Sequence, residues 1–155
     1  MPDLHPLTAL LAQNIRQRDA AIAEHQRAQS AAEAAQGQAE QLRTYRREYE
    51  QRWKAQFCRE GKIELVHCYQ SFMERLTLAV EQQSRVAEHA ALQVERALSA
   101  LRDTELRCAS VRKLIERRLA DQRLSADRRD QKQTDEAASR AAWNRLASTR
   151  PAPLL

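Results

Sequence analysis

The stretch Cys58-Arg59-Glu60-Gly61-Lys62-Ile63-Glu64-Leu65 is the one clear break between two very long helical patterns, and it decides what the chain can fold into. Gly61 is one of only two glycines in 155 residues. Glycine just past a helix end accepts the left-handed backbone conformation that other residues resist. The stretch therefore reads as a hairpin turn, and a chain folded back there becomes an antiparallel pair of helices. Folding about a centre near position 62 sets residue i of the first helix opposite roughly residue 124 − i of the second, to within ~2–4 residues.

Composition agrees with a two-helix rod rather than a globular domain. Charged residues make up 30% of the chain and aromatics 5%, and much of the 43% apolar fraction is alanine. Such a chain has good helix formers and little bulky core material. A rod needs only a narrow apolar stripe on each helix, which leaves the other faces free for charge. No run of ~18 apolar residues is present to span a bilayer. The start, Met1-Pro2-Asp3-Leu4-His5-Pro6, lacks the basic and apolar regions of a secretory signal. The expectation is a soluble cytoplasmic protein. Cys58, Cys68 and Cys108 are an odd number without CxxC spacing, a poor match to a disulfide framework. Cys58, His67 and Cys68 can meet near the turn, but a zinc site needs one more ligand and His89 is one or two helical turns too far. No metal or cofactor is expected.

Read in order, the first helix begins between Asp3 and Thr8, with Pro6 at an early position and Asp3 or Thr8 as the cap. Its stripe runs through Leu4, Leu7, Leu11, Ile15 and Ile22 at helical spacing. It thins to Ala28, Ala31, Ala32, Ala35 and Ala39, with Gly37 among them, and then turns bulky at Leu42, Tyr45, Tyr49, Trp53 and Phe57. Small residues opposite, around Val86, Ala90, Ala91 and Val94, predict a close approach of the helices there. In the second helix, Ser71-Phe72-Met73-Glu74 has the form of a capping box, but Tyr69 already fits the stripe and favours the earlier start. The stripe follows Tyr69, Phe72, Leu76, Ala79, Val86 and Ala90, then resumes at Val94, Ala97, Leu101, Cys108, Val111 and Ile115. The step from Ala90 to Val94 reads as a stutter. The expected organisation is one all-α domain over residues 1–155: helix 1 at about 8–58, a turn at about 59–65, and helix 2 at about 66–148.

Helix 2 is the longer by far, so it is expected to be unpaired beyond about 117. The run from Ser125 to Glu136 holds no large apolar residue, and Ala137, Ala138, Ala141, Ala142, Trp143 and Leu146 follow before Pro151 and Pro153 stop the helix. The charge is concentrated here, with nine basic against five acidic residues over 117–150, a net of +4 of the chain's +5. An exposed basic helix with an aromatic near its end reads as a docking element or as a solvated tail.

Tyr45-Arg46-Arg47-Glu48-Tyr49 before the turn, Tyr69-Gln70-Ser71-Phe72-Met73-Glu74-Arg75-Leu76 with Ala79, Glu81 and Gln82 after it, and Asp130-Gln131-Lys132-Gln133-Thr134-Asp135-Glu136 followed by Arg140-Ala141-Ala142 resemble the FliJ family of flagellar type III export proteins. The resemblance covers both helices, with the motifs in family order. It implies an antiparallel coiled coil similar to the stalk subunit of rotary ATPases. It also implies binding to the hexameric flagellar export ATPase and to the cytoplasmic linker of the membrane export gate, handling of export chaperones, and peripheral association with the inner-membrane export apparatus. The implied gate contacts are Gln38, Leu42, Tyr45, Tyr49, Phe72, Leu76 and Ala79; position 83 is Gln83, where the family pattern has His. By residue type alone these are hairpin core, yet two helices cannot enclose so many rings, and a partly exposed aromatic patch marks a binding surface. The ATPase contact is expected at the N-terminal turns and the basic overhang, on Arg117, Arg118, Arg128, Arg129, Lys132, Arg140 and Trp143.

An enzyme is disfavoured by residue type: there is no Gly-rich phosphate loop and no HExxH, and the four histidines at 5, 25, 67 and 89 lie far apart in the pattern. No small-molecule substrate is expected. A nucleic-acid binder rests on a pI near 9.5, but Asp127, Asp130, Asp135 and Glu136 interrupt the arginines and no aromatics are interleaved for base stacking. A general coiled-coil adaptor or a self-associating bundle is the remaining alternative.

Overall fold

The structure, a computed structural model, describes residues 3–149. It is all-α: helix α1 spans His5–Glu60 and helix α2 spans Ile63–Ser148. The residues pack as two compact units, one of Ala12–Cys108 and the other of the residues up to Leu11 with those from Ala109 onward.

In the first unit the helices run antiparallel. The Arg43 guanidinium donates to Ser84 Oγ at 3.0 Å, and the Gln83 amide donates to Gln38 Oε1 at 3.0 Å and to the Ala35 carbonyl at 3.4 Å. Partners scatter to either side of the expected facing position. Tyr49 meets Phe72 rather than Arg75, and Arg43 meets Ser84 rather than Glu81. The directly facing residue points elsewhere, so a seam side chain meets the neighbours one turn to each side.

The break is tighter than the stretch that announced it, since only Gly61 and Lys62 are non-helical. Gly61 does not adopt the left-handed conformation, because no described residue has a positive φ. Its part is its poor helix propensity. The Lys62 carbonyl then accepts from Val66 N at 3.3 Å and opens α2. Ser71 lies inside α2 and does not cap it; its Oγ accepts from Arg75 at 3.3 Å. At the start of α1 it is Asp3 that caps, its Oδ1 accepting from His5 N at 2.9 Å, while Thr8 already lies in the helix. The proline stops expected at Pro151 and Pro153 lie outside the described residues.

Burial reveals the seam. On α1 two heptad rows are at least half-buried at every position and hold all its fully buried residues, Leu7, Asn14, Ala21, Ala28, Ala35, Leu42, Tyr49 and Leu4, Leu11, Arg18, His25, Ala32, Ala39, Arg46, Trp53. On α2 the two rows with the same property are Leu76, Gln83, Ala90, Ala97, Thr104, Val111 and Val80, Ala87, Val94, Leu101, Cys108, Ile115. The α2 rows alternate steps of four and three without a break, so the expected stutter is absent. The step from Ala90 to Val94 is an ordinary heptad step, and the seam residue before it is buried Ala87, not exposed Val86. The buried cluster is made of Ala35, Ala39 and Ala87, with Ala90 packed against it. Asn14 is the buried polar residue of the seam among the described residues. The ion pairs Arg18–Asp19, Arg27–Glu24, Arg43–Glu40 and Lys54–Glu50 lie within α1 on exposed or half-exposed side chains, and such pairs contribute little.

Gly37 sits in mid-helix, and a Cβ added there meets nothing within 4 Å. Gly37→Ala is therefore expected to raise stability by about 0.5–1 kcal/mol through the helix propensity of alanine. Urea unfolding followed by circular dichroism measures it; a lower midpoint would contradict the open surroundings of this position.

Candidate functional site

The spacing of four residues between Tyr45, Tyr49, Trp53 and Phe57 keeps successive rings of α1 on neighbouring faces. Each ring reaches the next: Tyr45 to Tyr49 at 6.1 Å between centroids, Tyr49 to Trp53 at 5.7 Å, and Trp53 to Phe57 at 5.3 Å. Two rings of α2 close the array. Phe72 packs on Tyr49 at 4.3 Å, and Tyr69 touches Tyr49, Trp53 and Phe57 at 6.5, 5.5 and 5.4 Å. These are ordinary distances for favourable ring pairs.

The seven residues expected at the gate contact separate by depth. Leu76 is buried. Leu42, Tyr49, Phe72 and Ala79 are half-buried. Tyr45 is 44% exposed, and Gln38 is exposed with its side-chain oxygen held by the Gln83 amide. Gln83 ties α2 to α1 beside the patch, in the place where the sequence pattern led to an expectation of histidine. The helices do not enclose the rings: a shallow open groove is lined by Tyr49, Trp53, His67, Cys68, Ser71, Phe72 and Arg75. Trp53, Phe57 and Tyr69 thus extend the array toward the turn, beyond the residues singled out from the motifs. The four-residue spacing of the α1 rings carried that signal.

The basic candidates lie in the other unit. Arg117, Arg118, Arg128, Arg129, Lys132, Arg140 and Trp143 are all on α2 and all exposed, Trp143 at 70%. From Glu116 to Thr149 every residue is exposed except half-buried Gln122. None of the six cations takes part in an ion pair among the described residues. Arg128, Lys132 and Arg140 share an open face with Asp135 and Glu136, so this stretch offers charge of both signs with a basic excess. In the N-terminal turns Leu7 is buried and Leu10 exposed. Cys58 and Cys68 are free and exposed, and Cys108 is free and buried. Among the described residues no group of His, Cys, Asp and Glu is arranged to hold a metal ion, and no helix is long and apolar enough to cross a membrane.

A family model described as flagellar FliJ protein matches residues 3–147. No curated protein and no solved structure matches the chain significantly.

Proposed function

The chain belongs to the flagellar FliJ family and is thereby a protein of flagellar export; from that premise we propose that it is a coiled-coil stalk that binds and promotes the export ATPase ring and links it to the membrane export gate. The observation that carries the proposal is the stretch of α2 from Glu116 to Thr149, which is helical yet buries almost nothing of itself. A helix that neither pairs nor encloses a core gains little by being ordered alone. One that carries unpaired arginines and an exposed Trp143 has the residue types that dominate interfaces.

On this reading the basic stretch and the N-terminal turns contact the ATPase ring. A single asymmetric shaft touches the ring's subunits unequally, and unequal contacts couple to unequal nucleotide states. The aromatic array is the contact for the cytoplasmic linker of the gate, which makes the protein a peripheral partner of the inner-membrane export apparatus. Handling of export chaperones belongs to the same role. Titrating the full chain into the cognate export ATPase and following ATP hydrolysis tests the reading. Stimulation is expected; absence of both stimulation and binding overturns it.

The gate contact has its own test. Tyr45 touches only Tyr49 among the rings, so Tyr45→Ala leaves the helices packed and removes an exposed anchor. Affinity for the gate linker is expected to fall about thirtyfold, corresponding to a hot-spot loss of ~2 kcal/mol. Calorimetric titration measures it, and an unchanged affinity removes Tyr45 from the contact.

A further inference from the structure

On the face of α2 opposite its seam rows, Leu78 and Leu92 are 62 and 50% exposed, with exposed Arg85 midway between them. Beside them runs a row of glutamates at strict heptad spacing, Glu74, Glu81, Glu88 and Glu95, all exposed. None of the four has an ion-pair partner among the described residues. Each exposed leucine stands four residues after one glutamate and three before the next, so leucine and carboxylates share one face. Over residues 63–95 the helix carries five glutamates against two arginines.

Four glutamates against the one Arg85 leave this face acidic, and a row of like charge beside exposed leucines selects a partner helix of opposite charge, as the rows flanking a coiled-coil seam do. Two copies of this face cannot pair with each other, since their glutamates would stand opposed. The occupant must be a basic helix with apolar residues among its cations. Within the sequence α1 is the first candidate, but over residues 5–60 its nine basic residues are nearly balanced by seven acidic ones, four of them already in ion pairs with its own cations. The stretch of α2 over residues 117–149 is the better match, with eight basic against five acidic residues. On it Leu124, 51% exposed, has Arg117 seven residues before and Arg128 and Lys132 four and eight after, all on its own face.

We propose that the Glu74–Glu95 face of one molecule binds the basic 117–149 helix of a second copy. The contact joins two different surfaces, so it is heterologous and leaves a free surface of each kind at the ends of the assembly. If the basic helix is also the ATPase contact, as read above, self-association and ATPase binding compete for it. The association does not depend on that reading.

Sedimentation velocity on the full-length chain provides the test. The wild type is expected to associate at low ionic strength and to dissociate in about 1 M salt, where the screening length is ~3 Å. The double variants Glu81→Lys/Glu88→Lys and Arg128→Glu/Lys132→Glu alter exposed positions only, and unchanged helicity by circular dichroism verifies their fold. Each alone is expected to be monomeric. Their equimolar mixture is expected to form a one-to-one dimer, because one retains the basic helix and the other the acidic face. A wild type that stays monomeric at low salt overturns the proposal, as do variants that associate like the wild type or a mixture that stays monomeric. None of these measurements involves the ATPase, so failure here leaves the export reading standing.

Discussion

A chain ending at Glu116 is expected to lose stimulation of the export ATPase while retaining affinity for the gate linker. The truncation removes the stretch in which nearly every side chain is exposed. It leaves the aromatic array and the buried Ala35, Ala39 and Ala87 cluster intact. Losing Trp143 together with several unpaired cations is expected to cost at least ~3 kcal/mol of binding, on the order of a hundredfold or more in affinity. ATP hydrolysis measured against protein concentration, with binding followed in parallel, gives the comparison. Stimulation by both chains would move the ATPase contact to residues before 117, and loss of gate binding alone would reverse the assignment of the two surfaces. The full-length triple variant Arg128→Glu/Lys132→Glu/Trp143→Ala should reproduce the loss and exclude a trivial effect of shortening. The salt dependence should differ as well: a contact built on exposed cations weakens as salt rises, and the aromatic one much less.

Tyr49→Ala is expected to produce the largest loss of stability of any single ring truncation in the array. Tyr49 is the ring that touches four others, Tyr45, Trp53, Tyr69 and Phe72. Large aromatic-to-alanine changes in cores cost about 3–5 kcal/mol; Tyr49 is only half-buried, so about 2–3 kcal/mol is expected. For a chain of this length that lowers the melting temperature by roughly 4–12 °C. Thermal unfolding followed at 222 nm measures it beside Tyr45→Ala, which should shift the midpoint by a much smaller amount. Equal shifts for the two would mean that Tyr45 is as structural as Tyr49, and the exposed-anchor reading would fail.

Helix class and the position of the turn were legible because glycine and proline are so scarce that Gly61 could not be overlooked. The seam was legible only where it is apolar. Asn14, Arg18, His25, Gln83 and Thr104 occupy seam positions that a search for bulky apolar residues passes over. Val86 drew attention to the wrong face by being apolar. Two helices enclose a seam position only partly, so a long polar side chain can lay its stem across the groove and keep its head in water. Polarity therefore does not exclude a residue from this core as it would from a globular one. The aromatic patch was legible from spacing, but the depth of Leu76 and the bonds of Gln83 to Gln38 and Ala35 were not. Those depend on how far one helix is slid along the other, which the spacing within either helix leaves open.

That sliding coordinate gives the alanine cluster a further meaning. Between Ala21 and Ala39 the α1 seam offers alanine at most of its positions, and shifting one helix by a heptad there exchanges one small residue for another at little cost. The middle of the seam is thus a smooth bearing that does not specify its own alignment. Alignment is set by two latches, the interlocked rings on one side of that stretch and buried Asn14 on the other, because a heptad shift puts a residue of different size or polarity in the place of each. A hairpin latched at both ends and smooth between them resists slippage where its rings are held, and a ligand that grips those rings acts directly on the register of the two helices.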